Sequence, residues 1–587
     1  MSTASWLQFV ALGLLIAIST PLLGNYMYKV YRGGKAPGDR IFLPIENTVY
    51  RLCGINPDGE QRWTTYTFAL LAFSLAGVLL TYIVMRLQAH LPLNPDHIKA
   101  VSPGLSFNTA VSFVTNTNWQ AYVGESTMSH LSQMFALTSQ QFFSAAVGMA
   151  VVVALIRGLT RRRRTTLGSF WVDMTRSTVR ILLPISFVFA IVFMSQGAIQ
   201  SFHAEKTVHT VAVQSVDSKG HAVMTQSVPG GPVASMVPIE ALGDNGGGYF
   251  NGNGAHPYQN PNPITNVFLY WLVVMIPFAF PWTFGKLIKS MPQGYVVLAS
   301  MVILFVAAIF VIAPLEGNGN NKLSHPTSTL AAGVNQSETA SHVGGNMEGK
   351  DTRFGVGGST MGGVAVTATS AGAQNSAHES YTPLGGSVPL INMMLGEVSP
   401  GGTGSGLFGK LILVLLSVFI AGLMVGRTPE YLGKKIQGPE MKLVVLYLLM
   451  VPLVILAFAG ISIVLDQAQK SLFASGPHGL TEMVYTFTSG ANNNGSSFAG
   501  ISANTQWFNT TMGITMLVGR YFLIIPVMAI AGSLARKQTV PVTAGTFRTD
   551  TPIFAGLLVA ITVILVGLIY FPVLALGPIV EHLAGHF

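Results

Sequence analysis

Charge is what this sequence has least of. Only 9% of its 587 residues are charged and half are hydrophobic, whereas a soluble protein carries roughly 25% charged residues. That excludes an ordinary soluble domain and places the chain in a bilayer. Cysteine is nearly absent. Cys53 stands alone, which excludes an internal disulfide framework and a cysteine-based metal site. The 13 histidines show no ligand spacing. No Asp-Lys-Thr-Gly string occurs, so the chain offers no aspartate to phosphorylate in that setting. GSGLFGK, Gly404 to Lys410, has the glycine–lysine spacing of a phosphate loop. Leu411 stands where Ser or Thr would hold magnesium, and the segment reads as the outward-facing start of a span. No nucleotide site is therefore expected. Nor is there a paired-carboxylate or nucleophile–base set that would make a membrane enzyme. No cleavable leader is expected: the run Phe9 to Leu23 has an uncharged start and is followed by Lys29, Arg32 and Lys35, the pattern of a retained span.

Apolar runs, by contrast, are abundant. A span needs about 20 mostly apolar residues. Ten are expected, at 5–24, 67–86, 133–157, 179–199, 266–284, 294–314, 405–426, 442–465, 510–532 and 552–577. Most of the 32 basic residues, Arg161-Arg162-Arg163-Arg164 among them, fall in one set of alternate loops. Basic loops stay in the cytoplasm, so both termini are expected outside. The net charge of +9 then needs no nucleic acid, and the arginine run reads as a topology signal and an anchor for anionic lipid headgroups. Arg520 falls inside a span, where charge points to function or to a partner within the protein.

The outer loops are long and rich in Gly, Asn, Ser and Thr. The longest, Gly317 to Gly386, is expected to be irregular in part. Four of them share one pattern, in which a short apolar run leads into small polar residues before the next long span. The copies are SFNTAVSFVTNTNWQAY (Ser106–Tyr122), VPIEALGDNGGGYFNGN (Val237–Asn253), STMGGVAVTATSAGAQNS (Ser359–Ser376) and TEMVYTFTSGANNNGSSF (Thr481–Phe498). Aligned on Asn118, Gly246, Gly372 and Gly495, they recur at intervals of 128, 126 and 123 residues. Runs of about ten residues are too short to span but suit re-entrant half-helices. The fold class follows: an all-α polytopic membrane protein with about ten transmembrane helices and four pore-type repeats around one axis. The expected units are 67–157, 179–284, 294–426 and 442–532, with an extra span in each of 1–66 and 552–587. Half-helices entering from outside point their C-terminal ends to mid-membrane, where the partial negative charge favours a cation. Unwound carbonyls beyond them can replace the hydration shell of an alkali ion, and glycine permits the backbone angles this needs.

The strings SFVTNTNWQ, NGGGYFNGNGAHPY, SGLFGK, FIAGLMVGRTPEYLGKKI, ANNNGSSFAGISAN and IIPVMAIAGSL, running from Ser112 to Leu534, resemble the potassium-binding A subunits of the Kdp-type potassium-transporting ATPases. The resemblance implies four pore-type repeats like those of potassium channels and Trk/Ktr transporters. It also implies a place in the bacterial cytoplasmic membrane beside a P-type ATPase subunit, a single-span accessory subunit and a small fourth peptide. The family's potassium filter falls here on Asn116, Thr117, Asn118 and Gln120; on Asn245 and Gly246; on Ser370, Ala371 and Gly372; and on Asn494 and Gly495. Two departures stand out. Asp244 occupies a position where the family pattern has threonine, which sets a carboxylate at the filter mouth or turns it outward. Ala371 replaces a cysteine, leaving only its carbonyl to serve. Single-glycine loops give fewer stacked sites than channel filters, so tight binding and slow flux are expected. Arg427, after span seven, is a candidate barrier to leak or a snorkelling interface arginine. Pore architecture alone leaves open a stand-alone potassium channel or an ion-coupled transporter.

Overall fold

The computed structural model describes residues 3–212, 215–216, 221–324, 333–339, 343–498, 500–541 and 547–584. Parts of the long loop 317–386 and the last three residues of the C-terminal unit thus lie outside the described residues. Among the described residues, ten helices are long and apolar enough to cross a membrane. In chain order the principal helices are α1 (Thr3–Arg32), α2 (Asp39–Leu52), α3 (Trp63–Leu87), α4 (Pro103–Val114), α5 (Ser132–Thr160), α6 (Phe170–Ser195), α7 (Val233–Leu242), α8 (Pro263–Leu287), α9 (Met291–Gly317), α10 (Gly355–Ala368), α11 (Pro383–Met394), α12 (Ser405–Met424), α13 (Gly438–Val464), α14 (Gly476–Asn492), α15 (Gln506–Arg536) and α16 (Pro552–Leu574).

The short helices α4, α7, α10 and α14 each follow a long helix, and α4, α7 and α14 directly precede another. They are almost wholly buried, as polar half-helices at membrane depth must be. The fourth is 17 residues long, longer than the run in the sequence suggests, because Pro477 and Gly476 start it before its apolar stretch. Helix starts are locally encoded. Asn262, for example, accepts from the amides of Ile264 and Thr265 ahead of Pro263, the first residue of α8. Where long helices touch, small residues let backbones close up: a Cβ at Gly158 of α5 would lie 2.6 Å from the Ala531 carbonyl oxygen of α15.

Three elements depart from the sequence reading. Helix α2 was not expected; its amphipathic 14 residues are too few for a span. The post-loop span of the third unit is broken: α11 has only 12 residues, and 395–404, with Gly396, Pro400, Gly401 and Gly404, separates it from α12. Gly404 to Lys410 consequently lies in the protein interior and not at the outer surface, since Gly406 to Lys410 are buried and a Cβ at Gly404 would lie 2.2 Å from the Gly148 carbonyl oxygen. Two exposed antiparallel strand pairs, Lys206–His209 with Thr225–Val228 and Ser215–Val216 with Ala222–Val223, decorate the loop before α7.

The face carrying Arg161–Arg164 is tied together by charge. Arg157 grips Asp173 at 2.5 and 2.7 Å, and Tyr66 donates to the same carboxylate at 3.0 Å, joining α3, α5 and α6. The buried Lys434 ammonium donates to the carbonyls of Gly158 and Leu534, both at 2.7 Å, and to that of Arg161. These carbonyls stand at the C-terminal ends of α5 and α15, and that of Leu534 also accepts from the Lys537 amide at 3.1 Å. Lys434→Met should therefore orphan the Gly158 and Arg161 carbonyls and destabilise the fold by roughly 2 kcal/mol, read as a lower melting temperature of the detergent-solubilised chain.

Candidate functional site

Each re-entrant helix ends in the same way. The amide of Thr117 donates to Ser112 O (2.9 Å), that of Asn245 to Glu240 O (3.0 Å), that of Ala371 to Val366 O (3.4 Å) and that of Asn494 to Ser489 O (2.9 Å). All four bonds reach five residues back. Just before the donor, Asn116, Asp244 and Asn493 have φ of 70°, 57° and 59°, the left-handed cap that Asn and Asp tolerate and β-branched residues do not. Ser370 does not take that conformation, so the third loop turns differently. Just after the donor come Asn118, Gly246 and Gly495, again at positive φ, and Gly372. These are the four residues on which the repeats align in the sequence.

The four loops meet edge to edge. A Cβ on Gly247 would stand 2.8 Å from Asn118 O, one on Gly246 would stand 1.9 Å from Gly372 N, one on Gly372 2.7 Å from Gly495 C, and one on Gly495 1.9 Å from Thr117 O. The contacts therefore run from loop one to two, three, four and back to one. Polar bonds follow the same circuit. Asn116 Nδ2 donates to Asp244 O (2.8 Å), Asn118 Nδ2 to Asn245 Oδ1 (2.7 Å), Gly372 N to Asn245 O (2.7 Å), Asn494 Nδ2 to Thr369 O (2.9 Å) and Asn493 Nδ2 to Thr117 Oγ1 (2.9 Å). The asparagine amides are thus braces between loops. Their burial carries no unpaired-donor cost. Gln120 braces loop two through Gly248 O at 3.0 Å. Ala371 is buried and presents only backbone.

On the side away from the arginine run, the ring opens into a polar vestibule of about 870 Å³ lined by Gln120, Asn251, Asp351, Gln374, Gly495 and Ser497. On the other side lies a cavity of about 30 Å³ bounded by Ser370, Glu397, Asn492, Asn493 and Arg520. Ser370 Oγ donates to Glu397 Oε2 at 2.6 Å, and Arg520 Nη2 donates to Ser144 O at 2.8 Å. Glu397 and Arg520 lie near enough to interact electrostatically. Glu397 comes from the break between α11 and α12.

Two expectations need correction. The sequence reading sets Asp244 at the filter mouth or facing out. The structure places it at the inner end of its loop, fully buried, with Oδ2 accepting from Thr403 Oγ1 at 3.2 Å. The reason is the cap: the position demands a left-handed residue directly after α7, well before the loop climbs to the vestibule. Arg427 lies exposed just past the end of α12, a place that fits the interface-arginine alternative and not the leak barrier. Twenty helical residues separate it from Ser405, which stands by Ser370, a distance of roughly 30 Å. The buried charged side chains beneath the ring are instead Arg520 and Glu397, with Asp244 close enough to act on Glu397. Glu397 went unnoticed in the sequence, although a lone acid in the apolar run LINMMLGEV is the signal that finds it.

Comparison with known proteins agrees over the whole length. The family model described as the potassium-transporting ATPase A subunit matches residues 10–583. Proteins named potassium-transporting ATPase potassium-binding subunit are 53% identical over 585 residues in Mycobacterium tuberculosis, covering 100% of both chains, and 50% identical over 573 residues in Sorangium cellulosum, covering 97% of both. Among solved structures, the potassium transporter TrkH from Vibrio parahaemolyticus aligns with a TM-score of 0.48 at 14% identity, covering 89% of this chain and 98% of that one. With ten membrane-type helices and a full-length family match, this chain belongs to the potassium-transporting ATPase A subunits.

Proposed function

We propose that this chain takes potassium from the outer side of a bacterial cytoplasmic membrane, holds it in the ring of four loops and passes it to a partner ATPase subunit for ATP-driven uptake. The units 67–157, 179–284, 294–426 and 442–532 each supply one loop, and both termini face outward. One observation carries the reading: four helix C-terminal ends, each closed by an amide that bonds five residues back, converge on loops that touch in a closed circuit. Four such ends concentrate partial negative charge with few free anions, an arrangement suited to a monovalent cation stripped of water. Backbone at Thr117, Asn118, Asn245, Gly246, Ala371, Gly372, Asn494 and Gly495 forms the binding ring. Asn116 and Gln120 hold it in shape, and Asp244 and Ser370 frame its inner end. The vestibule admits hydrated ions, while the tight, charged cavity below opposes free passage. That asymmetry suits a pump subunit better than a conducting channel. Energy comes from elsewhere in the complex, with a P-type ATPase subunit, a single-span subunit and a small peptide as the expected partners.

The test is potassium-stimulated ATP hydrolysis in a mild-detergent pull-down of the tagged chain from its native membrane. Activity is expected to co-purify and, at low potassium, to fall on Gly246→Ala. A chain that comes down alone, yet carries potassium into liposomes without ATP, would be a channel or ion-coupled transporter instead.

A further inference from the structure

Helix α2 presents three different faces. Asp39, Glu46 and Tyr50 turn to the protein, where Arg180 Nη1 meets Asp39 at 2.6 Å, Arg180 Nε meets Glu46 and Arg176 stands 3.9 Å from Glu46. At helical spacing, Ile41, Ile45 and Leu52 form an adjacent apolar stripe, exposed by 65%, 41% and 80%. Arg40, Asn47 and Arg51 occupy the arc opposite. A helix tethered by short connections between two span ends, with an apolar stripe bare and a basic arc opposite, lies in the membrane interface. Its acids are consumed by Arg176 and Arg180. Among the described residues Lys29, Lys35, Arg40 and Arg51 have no ion pair, so the charge left over is positive.

Beside α2 runs a groove of about 570 Å³ between α1, α6 and α8. Ile18, Leu22 and Tyr26 form one wall and Ile185 and Met275 the others. Phe42 of α2 closes the end, with Arg180 above its ring at 6.0 Å. Leu22, Tyr26 and Lys29 follow at i, i+4 and i+7, so Lys29 stands on the groove face of α1 just beyond its closed end. We infer that this groove binds an anionic phospholipid of the cytoplasmic leaflet. One acyl chain lies along Ile18, Leu22 and Ile185, and the headgroup lies against Lys29 and the basic collar around α2. The groove is apolar along its length and basic only at the interface, which is the pattern of a lipid and not of a soluble ligand.

The inference is tested by native mass spectrometry of the chain with its co-purifying subunits, delipidated and then incubated with phosphatidylglycerol or phosphatidylcholine in mixed micelles. Wild type is expected to retain phosphatidylglycerol preferentially. Lys29→Gln should lower that retention roughly fivefold and leave phosphatidylcholine unchanged. Leu22→Trp, which fills the groove at a side chain 67% exposed and so tolerant of change, should lower retention of both, whereas Leu22→Ala should not. Wild-type retention in Leu22→Trp overturns the proposal, as does equal loss in Leu22→Ala. Retention that rises when the other subunits are stripped away assigns the groove to a protein partner and overturns it as well.

Discussion

Gly246→Ala and Gly495→Ala should each raise the potassium concentration for half-maximal ATP hydrolysis by at least about tenfold and erode discrimination against sodium. Two independent costs act at each site. The backbone sits at φ of 119° and 91°, where an L side chain is strained by about 1–3 kcal/mol. The added Cβ would also stand 1.9 Å from a backbone atom of the neighbouring loop, so one loop must move. Backbone cannot swing aside as a side-chain tip can, and the displacement spreads through the ring because every loop braces the next. Gly372→Ala meets only the second cost, with its nearest contact at 2.7 Å, and should shift the half-saturation less. Gly556→Ala, with nothing within 4 Å, is the control and should behave as wild type. The measurement is potassium- and sodium-dependent ATP hydrolysis by the intact complex across the series. If Gly246→Ala and Gly556→Ala give the same half-saturation and ion preference, the ring is not the binding site.

The ring was legible in the sequence because it breaks the rule of its surroundings. Asn492 to Gly495 offer amides and a glycine beside hydrocarbon-length spans, and such residues have no stable place except in protein. Three more copies at matched spacing made a fourfold arrangement the economical answer. Other features were hidden for physical reasons. The left-handed cap that explains Asp244 is a backbone property, and nothing in the side chain's charge announces it. The break before Ser405 was concealed because α11 is too short to be counted as a span. Helix α2 was concealed because its apolar stripe is interleaved with Arg40, Glu46 and Arg51. Lys434 read as one more cytoplasmic positive charge, yet it holds the ends of two helices. In each case the sequence states a residue's chemistry and leaves out the partner that uses it.

Arg520→Gln and Glu397→Gln should act in opposite directions on passive potassium movement. The cavity beneath the ring is small and buried, so a fixed charge there is poorly screened. A unit positive charge about 8 Å from the ion path is worth ~2 kcal/mol at an effective dielectric of about 20, roughly thirtyfold in rate. Glu397 offsets part of that field while Ser370 donates to it at 2.6 Å. Removing Arg520 leaves a net negative site that attracts the ion, and ATP-independent potassium entry into liposomes should rise by at least about tenfold. Removing Glu397 leaves Asp244 as the remaining buried carboxylate against the guanidinium, and both leak and pumped flux should fall. The double variant Glu397→Gln/Arg520→Gln should return leak toward the wild-type value, because the net charge of the pair is restored. A purely structural salt link predicts something else: each single change would loosen the fold alike, and the two leaks would move together. Measuring flux in the three variants alongside their melting temperatures separates the two accounts, and leak that moves the same way in both single variants would rule out an electrostatic barrier at this depth.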